Sequence, residues 1–211
     1  MPLQNRVLPT GEIITASWRG GFMGNRGILH DDNRRLKTAR WTHPHWVTCV
    51  LRYKDWHREV MTPRHYTELF FLDESSALAA GHRPCGLCRR ADYTAFRRAW
   101  ATAHRAQDLD HDDRMLHAAR VDRTRRHKRY EAEIDTLPDG TFLWHEGAAH
   151  LLWAQHLIRF DAGRYIAALP RPASGRVTVL TPKPTVAAML AGYRPALHAT
   201  AERLLEARSN R

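Results

Sequence analysis

Cys85-Gly86-Leu87-Cys88 constrains this chain more than any other feature. Two thiols three positions apart on a tight turn can reach one tetrahedral metal ion, and Gly86 eases the turn. Zinc is the expected ion, because it suits soft sulfur ligands and needs no redox partner. A thioredoxin-like redox pair would open a helix after a strand, whereas this pair follows a predicted helix. A metal held here needs further ligands, so the fold must bring a second stretch of chain to the pair. Cys49 is the one other thiol, and His45 lies four residues before it, a usual ligand separation. The set His45, Cys49, Cys85 and Cys88 is therefore the candidate site, with His43, His57, His65 and His82 as rivals for the fourth place. Three cysteines, two of them adjacent in this way, do not form a secreted disulfide framework; a reducing, cytoplasmic setting fits better.

The local patterns divide the chain into four segments. Residues 1–45 read as strand, turn and strand around Pro9-Thr10-Gly11, followed by a Gly-rich loop at 20–27 that lacks any phosphate-binding fingerprint. Residues 46–106 carry strand formers at 46–53, 58–61 and 66–72, with a turn at 53–56. Asp73 then sits as a helix N-cap and Gly81 as its C-terminal stop, so a short helix delivers the chain to the Cys pair; a second helix is predicted over 91–106. Residues 107–140 are expected to be mostly helical, over 112–136, until Pro138-Asp139-Gly140. Residues 141–211 show strand patterns at 141–145, 149–153, 156–160 and 176–180, a stiff loop at Pro170-Arg171-Pro172, and helices at 185–192 and 197–208. The expected class is α+β: a zinc knuckle and helical middle packed with short antiparallel strands at both ends. No apolar run is long enough to span a membrane, and there is no signal-peptide core at the N-terminus.

From Phe71-Leu72-Asp73-Glu74 through the Ala-rich helix to Gly81-His82-Arg83-Pro84-Cys85-Gly86-Leu87-Cys88, the sequence resembles the closing segment of the Ada-like metal-binding domain of DNA-repair proteins. The resemblance covers about residues 45–90 and is specific over 70–88. It implies that an upstream Cys-x-x-x-Cys completes the zinc site, and His45-x-x-x-Cys49 falls in the matching place. It also implies contact with DNA, ahead of RNA. It does not carry over methyl transfer, since the methyl-accepting cysteine corresponds to His45 and an imidazole cannot replace a thiolate nucleophile.

Charge points the same way. The formal net charge is +11, with 33 Lys and Arg of which four are Lys. Residues 82–130 hold 13 basic against 6 acidic side chains, whereas 131–211 are nearly balanced. Such an excess is the electrostatic footprint of a polyanion partner. Arg83, Arg89, Arg90, Arg97 and Arg98 flank the knuckle, and Arg125, Arg126 and Lys128 belong to a second cluster, interleaved with Tyr93, Trp100 and Tyr130. All eight basic residues are expected to contact nucleic acid. The leading functional expectation is a zinc-containing DNA-binding protein connected with DNA repair or processing. A nuclease or base-removing enzyme is the alternative, using His30-Asp31-Asp32, the carboxylates at 108–113, or His117 and His127, with no residue assigned a catalytic role. A structural zinc module that binds protein is the third.

Overall fold

In the computed structural model, residues 1–56, 59–105 and 108–209 are described. The chain builds two six-stranded sheets with helices between and around them. The first sheet comprises β1 (Gln4–Val7), β2 (Ile13–Thr15), β3 (Phe22–Asn25), β4 (Val47–Cys49), β5 (Leu69–Phe71) and β6 (Arg83–Pro84), in the order β2-β1-β5-β3-β4-β6. Its β1/β5 and β4/β6 pairs are parallel and the rest antiparallel. After β5 comes α1 (Glu74–Ala79), and after β6 come α2 (Arg90–His104) and α3 (Leu109–Arg120). The second sheet holds β7 (Tyr130–Glu133), β8 (Phe142–His145), β9 (Ala148–Trp153), β10 (His156–Asp161), β11 (Arg164–Pro170) and β12 (Arg176–Val179). It is antiparallel throughout, in the order β11-β10-β9-β8-β12-β7. The chain ends with α4 (Lys183–Leu190) and α5 (Ala199–Ser209). The α+β class expected from the sequence is the class observed.

Helix α1 joins the two halves. All six of its residues are buried. Ala77 and Ala80 pack in the core of the first sheet with Val7, Leu29, Leu69 and Phe71. Ala79 meets Phe142, Leu151 and Ile158 of the second sheet, and Leu78 joins Phe96, Trp100 and Leu116 of the helical middle. The alanines at 77, 79 and 80 let this short segment approach both sheets closely, while Leu78 reaches the helical middle. Its N-terminus carries a full capping box: Asp73 accepts from the Ser76 backbone at 2.8 Å, and Ser76 accepts from the Asp73 backbone at 3.1 Å. The Asp73 carboxylate also accepts from the Tyr165 hydroxyl at 2.7 Å, and Glu74 accepts from Tyr193 at 2.5 Å and from Arg89 at 2.6 Å. Gly81 ends the helix at φ +87, and a Cβ there would lie 2.5 Å from the Arg120 side chain, so glycine answers both a backbone and a packing demand.

Four local expectations are corrected. Phe22–Asn25 is a central strand, not a loop: Gly24 carries no Cβ because one would strike the Phe71 ring at 2.5 Å. The 112–136 helix stops at Arg120, where Val121 turns extended. Asp122 then accepts from the backbones of Thr124 and Arg126, a side-chain-driven turn, and β7 pairs with β12 instead of continuing a helix. Residues 59–61 form a turn, with Met61 at φ +58 and its N–H donated to Glu68, while Arg58 lies outside the described residues. Finally, Arg164–Pro170 forms β11, a hairpin partner of β10 that the sequence reading passed over.

Candidate metal centre and basic surface

The parallel β4/β6 pair positions the thiols. Val47 is opposite Arg83 and Thr48 opposite Pro84, and the Cys85 N–H donates to the Thr48 carbonyl at 2.9 Å. Cys49, the last residue of β4, and Cys85, just past β6, therefore emerge side by side. The chain then turns, with the Arg89 N–H donating to the Cys85 carbonyl at 3.1 Å, and brings Cys88 back to them. The three sulfur atoms lie within 4.8 Å of one another. Sulfurs on one tetrahedral zinc stand about 3.8 Å apart for a Zn–S bond of about 2.3 Å, so the donor set fits a thiophilic ion with minor adjustment. The Cys85 thiol is lowered to about 5 because the Cys49 S–H donates to its sulfur and the Cys88 and Leu87 backbones add donors. That same hydrogen bond, together with burial, raises Cys49, and burial raises Cys88. A thiolate is thus already favoured at one corner of the trio, and a cation would supply the charge that the other two need to ionise.

No fourth ligating atom joins the trio among the described residues. His45, the expected fourth ligand, is outside the group. Its Nδ1 lies 2.8 Å from an Asp113 oxygen and its Nε2 3.8 Å from Asp110. The reason is the strand: His45 and Cys49 are separated by extended chain at roughly 3.3 Å per residue, too far for one ion. A four-residue ligand spacing works on a helix or turn, where the chain doubles back. Of the rivals, His82 is fully buried and its Nε2 lies 3.3 Å from Arg26 Nε, held neutral by burial. His65 engages the Pro63 carbonyl, and His43 contacts the His45 backbone and ring. His57 lies outside the described residues. The thiols open on a cavity of about 540 Å³, whose walls include Tyr53, Asp55, Trp56, Tyr66 and Glu68.

The expected basic face divides in two. Arg83 donates from Nε and Nη2 to Asp113 at 2.7 and 2.6 Å, and is buried. Arg89 is buried between Glu74 and Asp92, and Arg97 pairs with Asp112. Arg83 ties α3 to β6, while Arg89 and Arg97 tie the helices to one another. Arg90, Arg98, Arg125, Arg126 and Lys128 are exposed. The acidic run at 108–113 also resolves into parts. Asp108 caps α3 by accepting from the His111 backbone, whereas Asp112 and Asp113 are buried against arginines. His30 is buried with its Nδ1 at 2.6 Å from the Thr67 hydroxyl, away from any metal group.

Sequence reasoning missed Arg26 and Arg40. Arg26 is buried, and its guanidinium carbon lies 4.1 Å from the ring centre of Trp46. Arg120 covers the same ring at 3.8 Å. Nothing in the Gly-rich sequence around Arg26 signals this, since the contact depends on β3 lying inside the sheet. No protein-family model, curated protein or solved structure matches the chain at a significant level. No helix among the described residues is long and apolar enough to cross a membrane.

Proposed function

We propose that this chain is a zinc-binding protein that binds DNA and takes part in DNA repair or processing. The convergence of Cys49, Cys85 and Cys88 is the observation that carries the reading. The resemblance over 70–88 supplies the connection with DNA, and the +11 charge with exposed Arg90, Arg98, Arg125, Arg126 and Lys128 supplies a phosphate-neutralising surface. Zinc staples the turn after β6 to the end of β4 and fixes where α2 begins. The test is binding of zinc-loaded protein to a labelled duplex across a salt series. Log affinity is expected to fall against log salt with a slope near −0.9 per phosphate contacted. Absence of binding at low salt refutes the DNA reading and turns the search to protein partners.

One observation favours a second reading, a nuclease or base-removing enzyme. His45 is oriented by Asp113, which Arg83 grips in turn, and Nε2 of this half-exposed imidazole, 3.8 Å from the exposed Asp110, is placed for acid–base work. DNA cleavage or base release by the purified protein that disappears in His45→Gln, with zinc content and melting temperature unchanged, selects this reading.

A further inference from the structure

Away from the thiols, the β1–β2 turn, the strand β2 and the 121–129 loop enclose a cavity of about 780 Å³. Five arginines line it: Arg26, Arg40, Arg125, Arg126 and Arg129. Glu12 is the sole carboxylate in its wall, and it is engaged by the Thr10 hydroxyl at 3.3 Å. None of the five arginines forms an ion pair among the described residues. Elsewhere in this protein the buried arginines Arg83 and Arg89 each have a carboxylate. Arg26 and Arg120 depart from this pattern, since neither buried guanidinium forms an ion pair among the described residues. Arg26 is buried and is held by two carbonyls at 3.4 Å, by His82 Nε2 at 3.3 Å and by the face of the Trp46 ring at 4.1 Å, none of which carries a negative charge.

A buried guanidinium without a counter-charge is expensive, and a cavity that gathers four more around it raises the cost. Burial and the charge of Arg40 bring Arg26 down to about 9, which still leaves it cationic at neutral pH. A second polar group is weakly held: both ring nitrogens of His127 are shielded from solvent, with only the Ala79 and Lys128 backbones beside them and no well-formed hydrogen bond. His127 reaches the cavity because residue 11 is glycine: a Cβ there would meet its ring at 2.8 Å. Trp41 contributes an aromatic wall. Planar, fork-shaped donors match phosphate oxygens, and an aromatic wall matches a base. The volume falls within the range of small-ligand sites.

We propose that this cavity is a binding site for the phosphate ester of a nucleotide, with its phosphate among the arginines and its base against Trp41. The nucleotide is either free or one unit of a nucleic-acid strand. On that choice alone the inference rests on the DNA reading, since the cavity itself involves neither the thiols nor zinc.

The test is calorimetric titration of the full chain at low salt with thymidine monophosphate, a single-stranded oligothymidylate and inorganic phosphate. The exposed pair Arg125→Ala/Arg126→Ala is the variant of choice, because neither side chain is packed or ion-paired. Wild type is expected to bind the mononucleotide more tightly than inorganic phosphate. The double variant is expected to weaken it about ten-fold or more with melting temperature unchanged. Tighter binding of the oligonucleotide, competed by the mononucleotide, assigns the site to a strand; binding of the mononucleotide alone assigns it to a free nucleotide. The proposal is overturned if no probe binds, if phosphate binds as well as the nucleotide, or if the double variant binds as tightly as wild type. Duplex titrations on the wild-type protein keep the two readings apart. Duplex binding with no nucleotide binding removes the cavity and leaves the DNA reading. Nucleotide binding without duplex binding does the reverse.

Discussion

Single side chains in this protein carry either charge compensation or its absence. The thiol trio is the clearest case: Cys85 is lowered only because its neighbours donate to it, so losing one sulfur removes both a ligand and a donor. Cys88→Ser is expected to lower zinc stoichiometry measurably by metal analysis. His45→Ala is expected to leave stoichiometry unchanged, since its ring faces Asp113 rather than the sulfurs. Histidines set the acid sensitivity. Burial lowers His127 to about 4 and also depresses His82. A folded-state value below the unfolded one, near 6.5, means that the unfolded chain takes up protons first. The stabilisation is complete above about pH 6.5 and is lost as pH falls toward 4. The melting temperature is expected to drop over that interval, and His127→Gln should flatten the drop. An equal drop in the variant would assign the effect to other groups.

At the level of elements, α1 shows why a short helix can hold a fold together. Its propensity contributes little over six residues; its cap and its contacts do the rest. Asp73→Ala removes the capping acceptor and orphans the buried Tyr165 hydroxyl, so a loss of about 2 kcal/mol or more is expected in denaturant unfolding. Asp73→Asn keeps an acceptor, and burial already raises the Asp73 carboxyl, so this change is expected to cost less. The cap, the alanine run and the Gly81 stop were legible in the sequence because each is a local rule. The 121–136 stretch was not. Its helical look came from Arg, Lys and Glu, all good helix formers, yet an open edge at β12 offered backbone partners that propensity cannot weigh.

For the whole molecule, metal and fold are expected to be linked. The three thiols come from separate parts of the chain, so a metal ion that binds only the folded chain stabilises it by mass action. At a thousand-fold excess over Kd that is about 4 kcal/mol, and for a chain of this size about 2–4 °C of melting temperature per kcal/mol. Chelation is expected to lower the melting temperature accordingly; an unchanged value in protein shown to have lost its metal would mean that the trio is not a structural staple. The molecule also spends much of its positive charge internally. Arg83, Arg89, Arg97 and Arg120 cross-link segments, so the count of 33 basic residues overstates the free cations that a partner meets, while the three carboxylate-paired ones leave the net charge unchanged.

The residues alone determined whatever follows from spacing and local stereochemistry: the Cys85/Cys88 pair on its turn, the capped α1, most strands of the second sheet and the excess of charge. Partnership was decided by the tertiary structure. It is the parallel pairing of β4 with β6 that delivers Cys49 to the pair and carries His45 away, since extended chain separates residues that a helix would have stacked. It is the central position of β3 in its sheet that places Arg26, the residue after it, buried and beside four other arginines. The cost of a charge depends on which segments exclude water from it, and that is a property of packing over long sequence separations rather than of any local pattern.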